Sequence, residues 1–415
     1  MLEDFIKAHR NDDIRMLALK RSLLSETDMH YAIEQISGWQ KARTKLPQWA
    51  ANDEITYPPL ISMEQCSSEQ TAKYKTELCQ RLCGSIKDNQ QTTLTDLTGG
   101  FAVDFSYMSC VFDKAVYVEQ QENLCHIAKH NMNVLKRHNT TIVNDTAEHY
   151  LDNNQSSTVI FIDPARRDNK GDRTYAVADC TPNVLAMADI LLKKATFTII
   201  KLSPMLDWRK AVADFGSCCG EVHIVSSQGE CKELLLVISS TFNHLQHIYC
   251  VASGAITSYS IKEAEEAERR QDRFANEETL LNIKNNIHIG KTTIYLYEPD
   301  ATIMKAGCFA LISERFACRE IAPNSHLFIS NNYIPDFPGR SFIVNKTTTM
   351  NKQMIKKAFN GIKKANISTR NFPLKAEELK KRLHLKDGGD TYIFATTTIQ
   401  EKHLLLLCSK ALTDN

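Results

Sequence analysis

The densest chemistry in the sequence lies in Asp96-Leu97-Thr98-Gly99-Gly100-Phe101-Ala102-Val103-Asp104. The apolar run Thr93–Leu97 leads into it and a helical pattern from Val103 follows it, the setting in which a glycine-rich loop brings backbone against a nucleotide. Glycine supplies the tight turn and the close approach. A dinucleotide would place a pyrophosphate at the helix start, and the Asp96 carboxylate opposes that anion. It suits the ammonium of a methionine moiety instead. Glu119 ends the next strand, Val116-Tyr-Val-Glu119, about 20 residues on, where a carboxylate takes the ribose hydroxyls of an adenosine-bearing cofactor. Asp145 ends the third strand, within reach of an adenine amino group. These residues predict S-adenosylmethionine as cofactor, held by Asp96, Thr98, Gly99, Gly100, Asp104, Glu119 and Asp145. A plain strand–helix turn would explain the loop alone, and turn chemistry each acid alone. Three acids at successive strand ends on the carboxyl edge of one sheet argue against both, because ligands of open α/β sheets bind there.

The fourth strand ends in Val159-Ile-Phe-Ile-Asp163-Pro164-Ala165-Arg166-Arg167-Asp168. Methyl transfer from a sulfonium is an in-line displacement, so the protein must align the acceptor and accept or orient its proton. Asp163, Pro164 and Arg166 are the expected catalytic group, with Asp163 at the acceptor. Arg166 and Arg167 could grip a phosphate or carboxylate. The alternative is that Asp163 caps a turn and both arginines are solvated. The fifth strand ends in Lys201-Leu-Ser203-Pro204, bordering the same cleft with little specificity. No cysteine stands at the ends of strands four or five, which argues against methylation at pyrimidine C5, a reaction that needs a thiolate to activate the ring.

These loops need a scaffold, and the hydrophobic rhythm predicts one. Residues 1–90 read as helical: Ser25 and Asp28 resemble a capping box, Pro47 ends the first region, and Ser67 or Ser68 caps a helix to about Leu82. That helix is placed to close over the cofactor. From Thr92, strands at Thr93–Leu97, Ala115–Val118, Thr141–Val143, Thr158–Ile162 and Phe197–Leu202 alternate with helices at Val103–Phe112, Glu122–Lys136, Ala178–Lys193 and Asp207–Phe215. Alternation of this kind makes a mostly parallel, doubly wound sheet. Val222–Ser226 and Leu234–Ile238 are joined too closely for a crossover and should pair antiparallel. The expected fold is therefore α/β, with a Rossmann-like seven-stranded sheet, an N-terminal helical region and a C-terminal mixed α/β domain. The domains are 1–90 (helical), 91–262 (Rossmann-like, with 241–262 extending the sheet or adding a hairpin), 263–290 (helical connector) and 291–415, which closes on a hairpin of Thr391–Thr396 and His403–Cys408.

Composition limits the partners. The 415 residues carry a net charge of +1, so there is no whole-chain pull toward nucleic acid or membrane. The charge bias is local. Between Arg340 and Lys386 stand 13 Lys/Arg against Glu377 and Glu378. Lys356, Lys357, Lys363, Lys364 and Arg370 are the expected RNA-binding residues, with Phe342, Phe359 and Phe372 interleaved as stacking platforms or as core. A solvated basic surface is the alternative. The 13 cysteines are scattered, with no C-x-x-C pair, which suits reduced thiols in a cytoplasmic protein and no metal site. No apolar run reaches the ~20 residues of a membrane helix.

Asp96-Leu-Thr-Gly-Gly, Val118-Glu119 and Asp163-Pro-Ala-Arg166 resemble motifs I, II and IV of class I S-adenosylmethionine-dependent methyltransferases. Gly38-Trp-Gln-Lys-Ala-Arg-Thr-Lys-Leu-Pro47, Tyr57-Pro-Pro, Leu60–Ser68, Tyr74-Lys75, Gly339-Arg-Ser-Phe342, Asn371-Phe-Pro-Leu374 and Gly388-Gly389 extend the resemblance to bacterial methyltransferases with a C-terminal THUMP-like domain, common in Bacteroidetes. The resemblance implies methyl transfer to RNA, tRNA or rRNA, since THUMP domains accompany tRNA-modifying enzymes. The third glycine of motif I is Ala102, and motif IV lacks the Pro-Pro-aromatic of exocyclic amino methyltransferases. A methyltransferase of protein or small molecules, or a non-catalytic RNA-binding protein with a vestigial cofactor site, are the other readings.

Overall fold

The computed structural model describes residues 2–19, 24–84, 91–153, 156–166, 176–270, 273–275 and 293–411. The chain divides into two units, 1–247 and 248–415.

The first unit opens with helices α1 (Leu2–His9), α2 (Ile14–Leu19), α3 (Glu26–Lys45), α4 (Pro47–Ala50), α5 (Leu60–Gln65) and α6 (Glu69–Cys83). Ser25 caps α3 by accepting the Asp28 N–H. Pro47 ends α3 and also opens α4, where its missing N–H costs nothing. Two buried amides seat the extended segment before α5. Gln35 accepts the Tyr57 N–H at 2.8 Å and donates to the Tyr57 carbonyl at 2.9 Å. Asn131 does the same for Thr56, at 3.0 and 2.9 Å. Ser68 caps α6 by accepting the Thr71 N–H, which frees Ser67 for another role described below.

The strands and helices then alternate: β1 (Thr93–Asp96), α7 (Val103–Met108), β2 (Lys114–Glu119), α8 (Glu122–Val134), β3 (Thr140–Asn144), α9 (Ala147–Asn153), β4 (Ser157–Ile162), a short ribbon of β5 (Ala165–Arg166) and β6 (Cys180–Thr181), α10 (Ala188–Lys194), β7 (Ala195–Leu202), α11 (Trp208–Phe215), β8 (Cys219–Ser227) and β9 (Glu230–Ile238). In the sheet β3, β2, β1, β4 and β7 run parallel in that spatial order, and β9 and β8 follow antiparallel. The strand order reverses direction at β1, which puts a crevice at the carboxyl ends of β1 and β4. The Rossmann-like expectation holds, with its antiparallel closing pair. The strand count does not: with β10 (His247–Ala252) and β11 (Ala255–Ser260) the sheet has nine strands instead of seven. The helix expected over Ala178–Lys193 is also shorter. Pro182 lacks the N–H a helix interior needs, so Cys180–Thr181 pairs with β5 and the helix begins only at Ala188.

In the second unit, α12 (Ile261–Arg269) starts on a capping box of Ser260 and Glu263. Then come β12 (Tyr295–Pro299), α13 (Ala301–Ala306), α14 (Phe309–Arg315), β13 (Arg319–Glu320), β14 (Phe328–Ser330), β15 (Gly339–Thr348), α15 (Lys352–Ala358), β16 (Asn366–Thr369), α16 (Ala376–Leu383), β17 (Tyr392–Thr397) and β18 (His403–Lys410). A second sheet runs β13-β14-β12-β15-β18-β17-β16. The expected terminal hairpin is β17 against β18, antiparallel. Side chains alternate across a strand, so the leucine run of β18 feeds two cores. Leu404 and Leu406 join Phe342 and Phe394 on one face, and Leu405 and Leu407 join Leu379 and Phe359 on the other. Among the described residues no helix is long and apolar enough to cross a membrane.

Candidate functional site

A cleft of about 890 Å³ opens at the carboxyl ends of β1, β2, β4 and β7, and the segment Ser62–Ser67 contributes to its wall. The glycine-rich loop forms its floor. The Gly99 N–H donates to the Val118 carbonyl at 3.0 Å, pinning the loop to β2. A Cβ at Gly99 would lie 2.0 Å from the Tyr117 ring, so only glycine fits. Gly100 turns the chain at φ +53°, and Tyr117 donates its hydroxyl to the Gly100 carbonyl at 2.6 Å. Ala102 takes a left-handed conformation, φ 62°, as the residue before α7. The alanine in place of a third glycine is thus accommodated, at a cost of about 1–2 kcal/mol in backbone strain.

Every predicted acid reaches the cleft wall. Asp96 is 1% exposed and accepts the Thr98 N–H at 3.0 Å. Burial drives its pKa well above the usual carboxylate range, and the charges of Asp104, Asp163 and Glu119 push the same way. Glu119 is aimed by two backbone donors: Gly100 N–H at 3.0 Å and Gln121 N–H at 2.9 Å. Asp145 sits at the rim against His149, whose Nδ1 lies 2.7 Å from Oδ2. That hydrogen bond holds the Asp145 carboxyl below its usual pKa. Thr98 joins the two halves of the cleft, its Oγ1 accepting the Asp163 N–H at 2.6 Å.

Sequence reasoning passed over the polar network on the far wall. Lys201, at the end of β7, places its ammonium 2.6 Å from Asp163 Oδ2 and 3.6 Å from Asp104 Oδ2. Beneath them Lys75 of α6, fully buried, pairs with Glu233 of β9 and with Asp104 Oδ1 at 3.2 Å. Ser67 donates to Asp104 at 2.7 Å or to Glu233 at 3.0 Å. Burial works against charge on Lys201, but Asp163, Asp104 and Glu233 outweigh it and set its pKa well above that of a free lysine. Burial also disfavours the Glu233 carboxylate, yet Lys75 and Lys201 hold it down at about 2. α6 therefore plugs into the sheet through an internal ion network, and it is the Ser62–Ser67 segment before it that borders the cleft.

Pro164 is buried on the same wall. Arg166 lies in β5, its backbone opposite Cys180; its side chain and all of Arg167 lie outside the described residues. In the second unit Lys356 and Lys357 are exposed on α15, and Lys363 and Lys364 are exposed beyond it. Arg370 is engaged differently: its guanidinium binds Glu298 at 3.1 Å, and Arg340 takes the other oxygen of the same carboxylate. Phe342 and Phe359 are core residues and offer no stacking face, while Phe372 is half-buried against the second core. Among the described residues no group of three or more His, Cys, Asp or Glu could hold a metal ion.

The strand order, the loop and the carboxyl-edge cleft define a Rossmann-like fold of the methyltransferase type, followed by a separate α/β domain. Residues 295–338 match the model of a ferredoxin-like domain, and residues 339–410 match that of the THUMP domain-like family. A crystal structure described as a "putative methyltransferase from Porphyromonas gingivalis W83" is 28% identical, spans 99% of this chain and 98% of its own, and superposes with a TM-score of 0.82. An rRNA methylase from Streptococcus thermophilus is 13% identical over 42% of this chain and 95% of its own, with a TM-score of 0.30. A Streptococcus mutans protein solved in complex with SAH is 14% identical over 39% of this chain and 95% of its own, also at 0.30. Scores that low carry no weight here. No curated protein matches the chain.

Proposed function

We propose that the chain is an S-adenosylmethionine-dependent methyltransferase acting on RNA, a cytoplasmic tRNA- or rRNA-modifying enzyme. The observation that carries this reading is the concentration of carboxylates at the crevice. Asp96, Glu119 and Asp145 stand at three successive strand ends, and burial of Asp96 among like charges leaves it short of a cation. The donor set fits the cofactor: a buried carboxylate for the methionine ammonium, a backbone-oriented carboxylate for the ribose hydroxyls, and a rim carboxylate for the adenine amino group. When bound, the cofactor supplies an activated methyl group. The chain's own residues orient it; Asp163 and Pro164 line the cleft on the acceptor side, and Arg166 is assigned to the same catalytic group on its place in the sequence alone.

In this reading residues 1–90 brace the site through α6, 91–262 perform methyl transfer, 263–290 connect, and 291–415 hold RNA. The THUMP domain-like match and the exposed lysines of α15 and the following loop support the last assignment.

Two measurements test it. Glu119→Ala combined with Asp145→Ala should weaken binding of labelled S-adenosylmethionine by at least about 100-fold, because each lost charge-assisted hydrogen bond is worth about 1.5–3 kcal/mol and about 1.4 kcal/mol is tenfold; wild-type affinity in the double variant would sink the cofactor assignment. Charge reversal at Lys356, Lys357, Lys363 and Lys364 should weaken RNA binding and flatten its salt dependence. Each phosphate contact adds about −0.7 to the log–log slope for single strands. An unchanged slope would rule the patch out.

A further inference from the structure

Among the described residues two lysines border the cleft. Lys232 is exposed and paired with Glu230, whereas Lys201 is buried and fixed between Asp163 and Asp104. We propose that the methyl acceptor is a hydroxyl oxygen, the ribose 2′-hydroxyl of RNA, received beside the Lys201–Asp163 ion pair, whose groups lie 2.6 Å apart. The inference rests on the RNA-methyltransferase reading and adds the acceptor atom to it.

The charge pattern selects the atom. A hydroxyl is a poor nucleophile until its proton begins to leave, and the oxygen then gains negative charge that a fixed ammonium stabilises. The same ammonium works against an amino acceptor, since a donor aimed at the nitrogen ties up the lone pair that must attack. A pyrimidine C5 acceptor needs a thiolate to activate the ring. Among the described residues two thiols line the cleft, Cys66 and Cys180; Cys66 is pushed up in pKa by burial and donates to the Met63 carbonyl at 3.3 Å, and Cys180 is buried in β6. Lys201 stays charged because three carboxylates surround it. Asp163 can accept a proton: its side chain is 37% exposed, and burial raises its carboxyl pKa in spite of Lys201. Its backbone is anchored by Thr98. RNA presents a 2′-hydroxyl on every nucleotide.

The step balances without a co-reactant. The hydroxyl oxygen bonds to the methyl carbon as the methyl–sulfur bond breaks. Sulfur keeps the electron pair and loses its positive charge, and the hydroxyl proton passes to the Asp163 carboxylate and then to water. Lys201 keeps its proton throughout. Lys75 and Glu233 are positioning residues, acting through Asp104.

The test uses the full chain, tritiated S-adenosylmethionine and total RNA from a strain lacking the gene. Methylation of a 2′-oxygen blocks alkaline cleavage at that linkage, so the label should appear in alkali-stable dinucleotides. Label in alkali-labile nucleotides with the methyl on the base overturns this inference and leaves the RNA-methyltransferase reading standing; no label in RNA overturns both. Lys201→Met should lower turnover at least 100-fold while leaving S-adenosylmethionine affinity within about 3-fold, and Lys201→Arg should recover part of the rate. An equal loss of affinity would assign Lys201 to cofactor binding and overturn its role at the acceptor. The alkali assay on the wild-type chain decides the acceptor atom even if a variant fails to fold.

Discussion

Glu233→Ala lowers the unfolding free energy of the first unit by about 3–5 kcal/mol, the usual penalty for removing one partner of a buried ion pair. Glu233 is 4% exposed and Lys75 is fully buried, so the variant leaves an ammonium in the interior with Asp104 as its remaining carboxylate partner. The chain's tryptophans, Trp39, Trp49 and Trp208, all lie in that unit, so their fluorescence in a urea titration follows its unfolding alone. Lys75→Met with Glu233→Leu should recover most of the loss, since a well-packed apolar pair is often neutral or better than the ion pair it replaces. A single variant costing less than about 1 kcal/mol would show that water reaches the network. The pH dependence has a definite sign. Glu233 titrates at about 2 in the fold against an ordinary 4.5. Its contribution is therefore complete above pH 4.5 and is lost as the pH falls toward 2. The Glu233→Ala variant should show a shallower decline in stability across that window.

The network also marks where the sequence stops being legible. Asp96, Glu119 and Asp145 could be found because each closes a short strand-like segment, and a strand end fixes where its next residue points. Lys201 also stands at the end of such a segment, but one lysine at a strand end says nothing about its partners. Lys75 lies in the helical pattern of α6 and reads as a solvated face residue. Glu233 precedes Leu234-Leu235-Leu236 and reads as a strand boundary. Their pairing spans 158 residues and exists only once α6 packs on the sheet. Pattern reading is blind to that kind of contact. Composition is silent on partners in the second unit too. Arg370 belongs to a run of basic residues, and Glu298, far off in sequence, pairs with it. Of the two roles open to Phe342 and Phe359 the structure shows core, because period-two alternation in β15 and the docking of α15 turn them inward. β10 and β11 fall in 241–262, the segment expected to extend the sheet or add a hairpin, and they extend the sheet beyond β8.

Gly99→Ala should cut S-adenosylmethionine affinity at least 100-fold, about 2.7 kcal/mol, and destabilise the unit by about 1–3 kcal/mol through overpacking. The added carbon would lie 2.0, 2.3 and 2.5 Å from three atoms of the Tyr117 ring. That ring cannot yield. It is fully buried, its hydroxyl is committed to the Gly100 carbonyl, and it meets Phe105 edge-on at 5.6 Å. The loop must move instead, and moving it breaks the Gly99–Val118 hydrogen bond and the Gly100 N–H bond that aims Glu119. Stability and cofactor binding are thus coupled through one glycine. Gly100→Ala makes the contrast. Its nearest neighbour would be the Thr98 carbonyl oxygen at 3.8 Å, so it meets no clash and bears only the left-handed strain at φ +53°, about 1–2 kcal/mol. If the clash is the cause, Tyr117→Leu on the Gly99→Ala background should restore part of the affinity, although it removes the hydroxyl that holds the loop. Wild-type affinity in Gly99→Ala would mean that the contact with Tyr117 does not reach the cofactor site, and an equal loss in both single variants would mean that backbone freedom, and not the approach of the loop to β2, sets the affinity.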